Sequence, residues 1–268
     1  MGKFDGVLLV TDFDETLCDD RHVISEADQA AIVSFQRQGG CFTVATGRSR
    51  RTFLPYARQL PLTAPVIVAN GASIFDFAAD ETVAETALPS CFRADALELA
   101  GRFPTLAFET YDGLTALCCR PNRATLRHAT RVNCGFVETT LDRFPDPCLK
   151  LILEESEPLL RRVRDYVLSA WPGRYEAFFS APILLELTDR GCTKASAVLT
   201  LARRLGIAPE HIYCAGDHQN DLPMLRAARI GFCPANATPE VRASGARIVG
   251  PGGRGCIRDI VAVLDALY

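Results

Sequence analysis

The sequence predicts an α/β protein, a doubly wound parallel sheet split in the chain by an inserted α+β domain. Three observations carry this expectation. Short apolar runs alternate with helical stretches at both ends of the 268 residues. The middle mixes strands and helices less regularly and is punctuated by Pro104, Pro121, Pro145, Pro147 and Pro172-Gly173. The composition, 48% hydrophobic and 23% charged, is that of an ordinary globular chain long enough for two modest domains.

Taken in order, Gly6 to Val10 reads as a buried strand. A helix is expected from Ser25, an N-cap with Asp28 three residues on, to a stop at Gly39-Gly40. Cys41 to Ala45 is a second strand, Thr52 to Leu60 a helix, and Pro65 to Ala69 a third strand ending in the turn signal Asn70-Gly71. Ser73 to Leu88 reads as a hairpin turning near Ala79-Asp80. In the middle, Cys148 to Leu153 and Ile183 to Leu187 are expected strands around a helix from Leu159 to Trp171. The regular rhythm then returns. Thr193 caps a helix through Leu205, Ile212 to Ala215 is a strand, and Leu222 to Ala228 a helix. Ile230 to Cys233, a helix start at Thr238-Pro239-Glu240 and a last helix from Cys256 to Leu267 complete the pattern.

Composition excludes several classes. A net charge of −3 offers no electrostatic footprint for nucleic acid. No apolar run approaches a membrane span, and Val7 to Val10 is too short for a signal peptide and runs into acids. The 11 cysteines are odd in number and contain no Cys-x-x-Cys pair, so they read as small core residues in a reducing compartment. A cytoplasmic protein is the expectation.

Function should gather beyond the carboxyl ends of the strands. Asp12-Phe13-Asp14-Glu15-Thr16 follows the first. Asp12 and Asp14, two apart in extended chain, point the same way, and such a pair suits a hard cation such as Mg2+. The bland alternative is an acidic surface loop. Thr46-Gly47-Arg48 leads into a helix and combines a hydroxyl, a permissive glycine and a cation. That is either an anion site or a turn with an exposed arginine. Lys194 begins a helix, against the dipole, which hints at an anionic partner. Ala215-Gly216-Asp217-His218-Gln219-Asn220-Asp221 puts two acids and an Asn at another strand end. They bind metal, or Asp221 merely caps the next helix and His218 is a loop residue.

Asp12-x-Asp14-x-Thr16, Thr46-Gly47-Arg48, Lys194 and Gly216-Asp217-x-x-Asn220-Asp221 stand in the order of the four motifs of the haloacid dehalogenase-like superfamily. The chain resembles most its Cof-type phosphatases, which carry a class IIB α/β cap between the second and third motifs. Asn70-Gly71-Ala72, the approach from Glu186 to Lys194, Pro223-Met224-Leu225 and Asn236-Ala237 match as well. The cap matches mainly by position and size. The resemblance implies a Rossmann-like core over residues 1–86 and 187–268 and an inserted cap over 87–186.

It also implies a mechanism. Asp12 attacks phosphorus to form an aspartyl-phosphate, and Asp14 protonates the leaving oxygen and then activates water. Mg2+ is held by Asp12, the Asp14 backbone carbonyl and Asp217, with Asp221 in support. Thr46 and Lys194 hold phosphate oxygens. Gly47, Arg48, Asn70 and Asn220 are further substrate or phosphate contacts, and Thr16 braces the loop. The expected substrate is a small phosphorylated metabolite, and the protein is a monomer or homodimer. A phosphomutase is the alternative within the same chemistry. A phosphate-accepting regulatory domain would be about half as long, and a non-catalytic binding protein would not need the full set of motif residues. Two departures from the Cof pattern are Glu15 and Ala195, each where Gly is usual. Glu15, Asp19 and Asp20 are expected to be solvent-facing or gating.

Overall fold

The computed structural model describes residues 2–268. The elements in chain order are β1 (Leu8–Thr11), α1 (Glu26–Arg37), β2 (Cys41–Val44), α2 (Arg50–Ala57), β3 (Val66–Val68), β4 (Ser73–Asp76) and β5 (Glu81–Glu85). Next come α3 (Phe92–Arg102), β6 (Ala107–Asp112), β7 (Thr115–Cys119), α4 (Arg123–Arg131), β8 (Phe136–Glu138), β9 (Leu151–Glu154), α5 (Glu157–Ala170), β10 (Tyr175–Ala181) and β11 (Leu184–Asp189). The last are α6 (Lys194–Arg204), β12 (Ile212–Ala215), α7 (Leu222–Ala227), β13 (Ile230–Pro234), α8 (Pro239–Arg242), β14 (Arg247–Val249) and α9 (Cys256–Leu267).

The core sheet runs β14-β13-β12-β1-β2, parallel throughout. An isolated bridge, Ala45 to Ile67, leads from the β2 side to the antiparallel β3-β4-β5. β1 is buried along its whole length, as a strand covered on both faces must be. Leu9 packs with Ile32 and Phe35 of α1 and Ile257, Ile260 and Leu264 of α9. Leu8 and Val10 pack the other way, against Val198 and Leu201 of α6 and Met224 and Leu225 of α7. The sheet is doubly wound, and the strand order reverses beside β1, where α/β proteins place ligands.

Capping is local and sequence-encoded. Ser25 Oγ accepts the Asp28 N–H at 3.1 Å, and the Asp28 carboxylate also accepts the N–H groups of Gly255 and Arg258, tying α1 to the start of α9. Thr193 and Ser196 form a reciprocal capping box on α6.

The second sheet, β10-β11-β9-β6-β7-β8, is antiparallel except for β7 and β8. Helices α3 and α5 cover one face through Leu99, Phe103, Leu160, Val163 and Val167, packed on Leu151, Leu153, Leu185 and Leu187. The expected division between residues 186 and 187 falls inside β11. That strand stays paired with β10 through Asp189, so the chain leaves this sheet three residues later than the sequence suggests. Strands β6, β7, β8 and β10 and helices α3 and α4 go beyond the expected elements. β10 alternates buried and half-buried residues because only one of its faces is fully covered, and α4, RATLRHATR, is too polar to display an apolar stripe. No helix is long and apolar enough to cross a membrane. All 11 cysteines are free, and all are buried except Cys41 and Cys91, which are half-buried.

Candidate active site

The site lies where β1, β2 and β12 end and the second sheet faces them. Asp12 follows β1, donates its N–H to the Ala215 carbonyl at 2.8 Å, and is thereby fixed beside the end of β12. Lys194, first residue of α6, is fully buried, and its Nζ donates to Asp12 Oδ1 at 2.5 Å and Asp221 Oδ1 at 2.6 Å. The anionic partners that its position against the helix dipole requires are therefore both present.

Asp221 stands at the N-cap of α7, but its side chain makes no capping bond to that helix. Its Oδ2 accepts the N–H groups of Asp217 and His218 at 2.9 and 3.0 Å. This folds the loop so tightly that a Cβ on Gly216 would stand 2.4 Å from the Asp221 Cβ. Thr16, fully buried, does more than brace its own loop. Its hydroxyl donates to Asp217 Oδ1 at 2.7 Å and joins the first motif to the fourth.

Acidic oxygens of Asp12, Asp217 and Asp221 lie within 4.8 Å of one another. Three carboxylates against one ammonium leave two negative charges in a buried cluster, and the electrostatics register the imbalance. Burial raises Asp12 to about 7, with Asp221 and Asp14 adding to it and Lys194 opposing. Burial, followed by Asp12 and Asp221, raises Asp217 well above the usual carboxylate range. The all-oxygen donor set and the two missing positive charges fit a hard divalent cation.

Asp14 is in a different state. Burial pushes its carboxyl up, but hydrogen bonds from His22 and Arg48 outweigh this and hold it below the usual carboxylate range. Arg48 clamps it with both arms, Nε to Oδ2 at 2.9 Å and Nη2 to Oδ1 at 2.7 Å, and lies over the rings of Phe13 and Tyr56. The expected phosphate contact from Arg48 is thus committed to Asp14. Thr46 is fully buried, its hydroxyl accepting the Arg48 N–H at 3.1 Å, while Gly47 and Arg48 line the cleft.

Asn70 is also a support. Buried with φ at +58°, it donates to Glu186 Oε2 at 2.8 Å and accepts from Asn220 Nδ2 at 2.9 Å, so both ends of its amide are occupied. Glu186 in turn accepts from Lys150 Nζ at 2.7 Å, and Lys150 also donates to the Gly47 carbonyl at 2.7 Å. This buried relay joins β11 and the residue before β9 to the second-motif turn. Glu15, at φ +61°, occupies a left-handed position where glycine is easiest, and its carboxylate meets Arg131 of α4 at 2.9 Å. Asp19 accepts the N–H groups of Arg21 and Val23 and organises a turn.

Sequence reasoning missed Lys150, His22, His128 and Arg131. None belongs to a motif, and only the chain path brings them to the cleft. That cleft, about 320 Å³, is lined on the core side by Asp12, Asp14 and Asp217 and opposite them by Tyr111, His128, Lys150 and Leu184.

The family model for haloacid dehalogenase-like hydrolases matches residues 9–251. The chain is 27% identical over 234 residues to the HMP-PP phosphatase of Cronobacter sakazakii, covering 87% of this chain and 85% of that protein. It is 25% identical over 236 residues to 5-amino-6-(5-phospho-D-ribitylamino)uracil phosphatase YcsE of Bacillus subtilis, covering 88% and 86%. A solved structure described as the HAD subclass IIB sugar phosphatase BT4131 superposes with a TM-score of 0.82 at 20% identity, over 97% of this chain and 98% of that one, second sheet included. With its buried acids at the strand ends and its fold shared across both sheets, the chain belongs to the haloacid dehalogenase-like hydrolase family and is a phosphatase within it.

Proposed function

We propose that the protein hydrolyses a small phosphomonoester in two steps with Mg2+ at the Asp12–Asp217 oxygens. The observation that carries this reading is the buried cluster of Asp12, Asp217, Asp221 and Lys194, two positive charges short of neutrality and opening on a cleft of metabolite size. Mg2+, when bound, neutralises charge on the transferring phosphoryl group.

The chain's own residues do the rest. Asp12 is held by Lys194 and the β12 carbonyl, and its carboxylate forms a bond to phosphorus as the ester P–O bond breaks. Asp14 gives a proton to the leaving oxygen. Arg48 and His22 must yield their hydrogen bonds for Asp14 to hold that proton. In the second step Asp14 takes a proton from water, which attacks phosphorus and frees Asp12, and here the carboxylate favoured by Arg48 is already the right form. Asp217 is aligned by Thr16, and Asp221 organises its loop without facing the ligand. Residues 87–189 act as a cap that excludes bulk water and contacts the leaving group.

Phosphate release from p-nitrophenyl phosphate tests the reading. Activity requires Mg2+ and stops with EDTA. Asp12→Asn abolishes turnover, and a variant with wild-type rate would sink the nucleophile assignment. Asp14→Asn loses roughly 10²–10⁴-fold on an alkyl phosphate and less on p-nitrophenyl phosphate, whose leaving group needs no proton. Equal losses on the two esters would remove the acid role.

A further inference from the structure

Two carboxylates project from one face of the second sheet where the fold itself has no use for them. In the register of β6 against β9, Glu109 faces Ile152 and Ala107 faces Glu154, so the two acids share a face. Their other cross-strand neighbours are Cys118 beside Glu109 and Leu184 beside Glu154, neither of which can offset a charge. Helix α4 covers this part of the sheet through Ala124, Thr125 and His128. It brings His128 Nδ1 to 2.8 Å from Glu154 Oε1 and 3.6 Å from Glu109 Oε1.

All three residues are buried, and among the described residues no other cation pairs with either glutamate. Glu109 Oε1 and Glu154 Oε2 have no hydrogen-bond partner. A buried carboxylate oxygen left in that state has given up its bonds to water without replacement. Two carboxylates against one imidazole also stay negative in sum whether or not the ring carries a proton. The cluster therefore lacks both a partner for its oxygens and a positive charge.

Its geometry is that of a ligand set. One ligand atom from each residue falls within 4.8 Å of the others. Tetrahedral ligands about 2.1 Å from an ion stand ~3.4 Å from one another. The separations of 2.8 and 3.6 Å at Nδ1 bracket that spacing. His128 lines the cleft, which gives an ion a way in and leaves a side of it open to water or a ligand oxygen.

We propose that Glu109, His128 and Glu154 form a second divalent-metal site, separate from the core acids, that takes a first-row transition ion such as Mn2+ or Zn2+. The imidazole nitrogen favours such an ion over Mg2+, which suits the all-oxygen set of the core. The ion replaces the proton on Nδ1 and supplies the charge that the orphaned oxygens lack. Bound there, it fastens α4 to β6 and β9. The site stands whether or not the protein turns over phosphate esters.

Mn2+ is the probe, because its pulsed EPR spectrum reports a directly bonded imidazole nitrogen, which the core carboxylates cannot supply. Equilibrium dialysis of the full chain gives two Mn2+ per chain, and the loaded protein shows nitrogen modulation from one imidazole. His128→Gln abolishes that modulation and weakens one of the two ions by at least the roughly 10–100-fold that even an outer-shell partner is worth. Glu154→Gln, closer to the native shape, weakens the same ion, and circular dichroism checks that both variants fold. Asp217→Asn weakens the other ion and leaves the nitrogen modulation intact. A single Mn2+ that carries the modulation would uphold this site and count against the core one. No nitrogen modulation from the wild-type protein, however many ions bind, would overturn the site and leave the cluster a buried ion pair. A modulation that survives in folded His128→Gln, or vanishes in Asp217→Asn, would overturn it too, because the ligand would then be another histidine such as His218 beside Asp217.

Discussion

Core and cap each gather buried acids around one base, and the two clusters are built for different ends. In the core, Asp12, Asp217 and Asp221 surround Lys194 at the ends of β1 and β12 and the start of α6, leaving two negative charges that a divalent cation can neutralise. In the second domain, Glu109 within β6 and Glu154, the last residue of β9, flank His128 of α4. The first cluster offers oxygen alone, and the second adds an imidazole nitrogen. The proposed chemistry belongs to the strand ends, and the second cluster lies across the cleft from it.

Removing the base is the harshest way to test that division. Lys194→Met leaves three buried carboxylates without their ammonium. Breaking a buried ion pair costs about 3–5 kcal/mol, so the loss is read as a lower denaturant midpoint together with absent turnover. A Lys194→Met protein as stable and active as wild type would mean that the cluster does not depend on its internal charge balance.

A gentler perturbation uses pH. Asp12 sits near 7 in the folded chain against 3.8 for the free side chain, so the folded state holds its proton more tightly. Stability from this group is full below about pH 3.8 and is lost as pH rises towards 7. Metal-free protein should therefore melt lower at pH 8 than at pH 6, and Mg2+ should raise Tm more at pH 8, where the acids are ionised and no longer bind protons in competition. A Mg2+ shift in Tm that is larger at pH 6 would contradict the charge argument.

The same division governs what could be read in the sequence. Core strands are buried on both faces and appear as continuous apolar runs, so β12 is legible to the residue and α9 likewise. Asp12, Asp14, Lys194, Asp217 and Asp221 are legible as types at strand ends. Their bonding is not, because it depends on how segments from 34 to 201 positions apart meet. That is why Arg48 and Asn70, expected at the phosphate, turn out to serve Asp14 and Glu186. The cap hides for a related reason. Its half-covered strands and the polar α4 show weak periodicity, and His128, three residues before Arg131, carries no motif around it.

The smallest effect lies at the join between the two regions. The Arg131–Glu15 pair crosses from the second domain to the core, whereas Lys150 pairs with Glu186 inside that domain and reaches the core through the Gly47 carbonyl, and the two pairs differ in burial. Lys150 and Glu186 are 4% exposed on each side, whereas Arg131 and Glu15 are 49% and 48% exposed. An exposed pair contributes about 0–1 kcal/mol and fades with salt. A double-mutant cycle with Glu15→Gln and Arg131→Gln should therefore give a coupling below about 1 kcal/mol in global stability. The pair spans the mouth of the cleft, so its effect should appear in KM and product release, and disappear as ionic strength rises. Glycine at position 15 would relieve the +61° strain and delete the carboxylate at once, which makes Glu15→Gln the cleaner probe. If Glu15→Gln shifts kcat and KM identically at low and high salt, the bridge is a by-product of packing. If the shift vanishes in salt, the carboxylate at this left-handed position acts as a weak electrostatic latch on the cap.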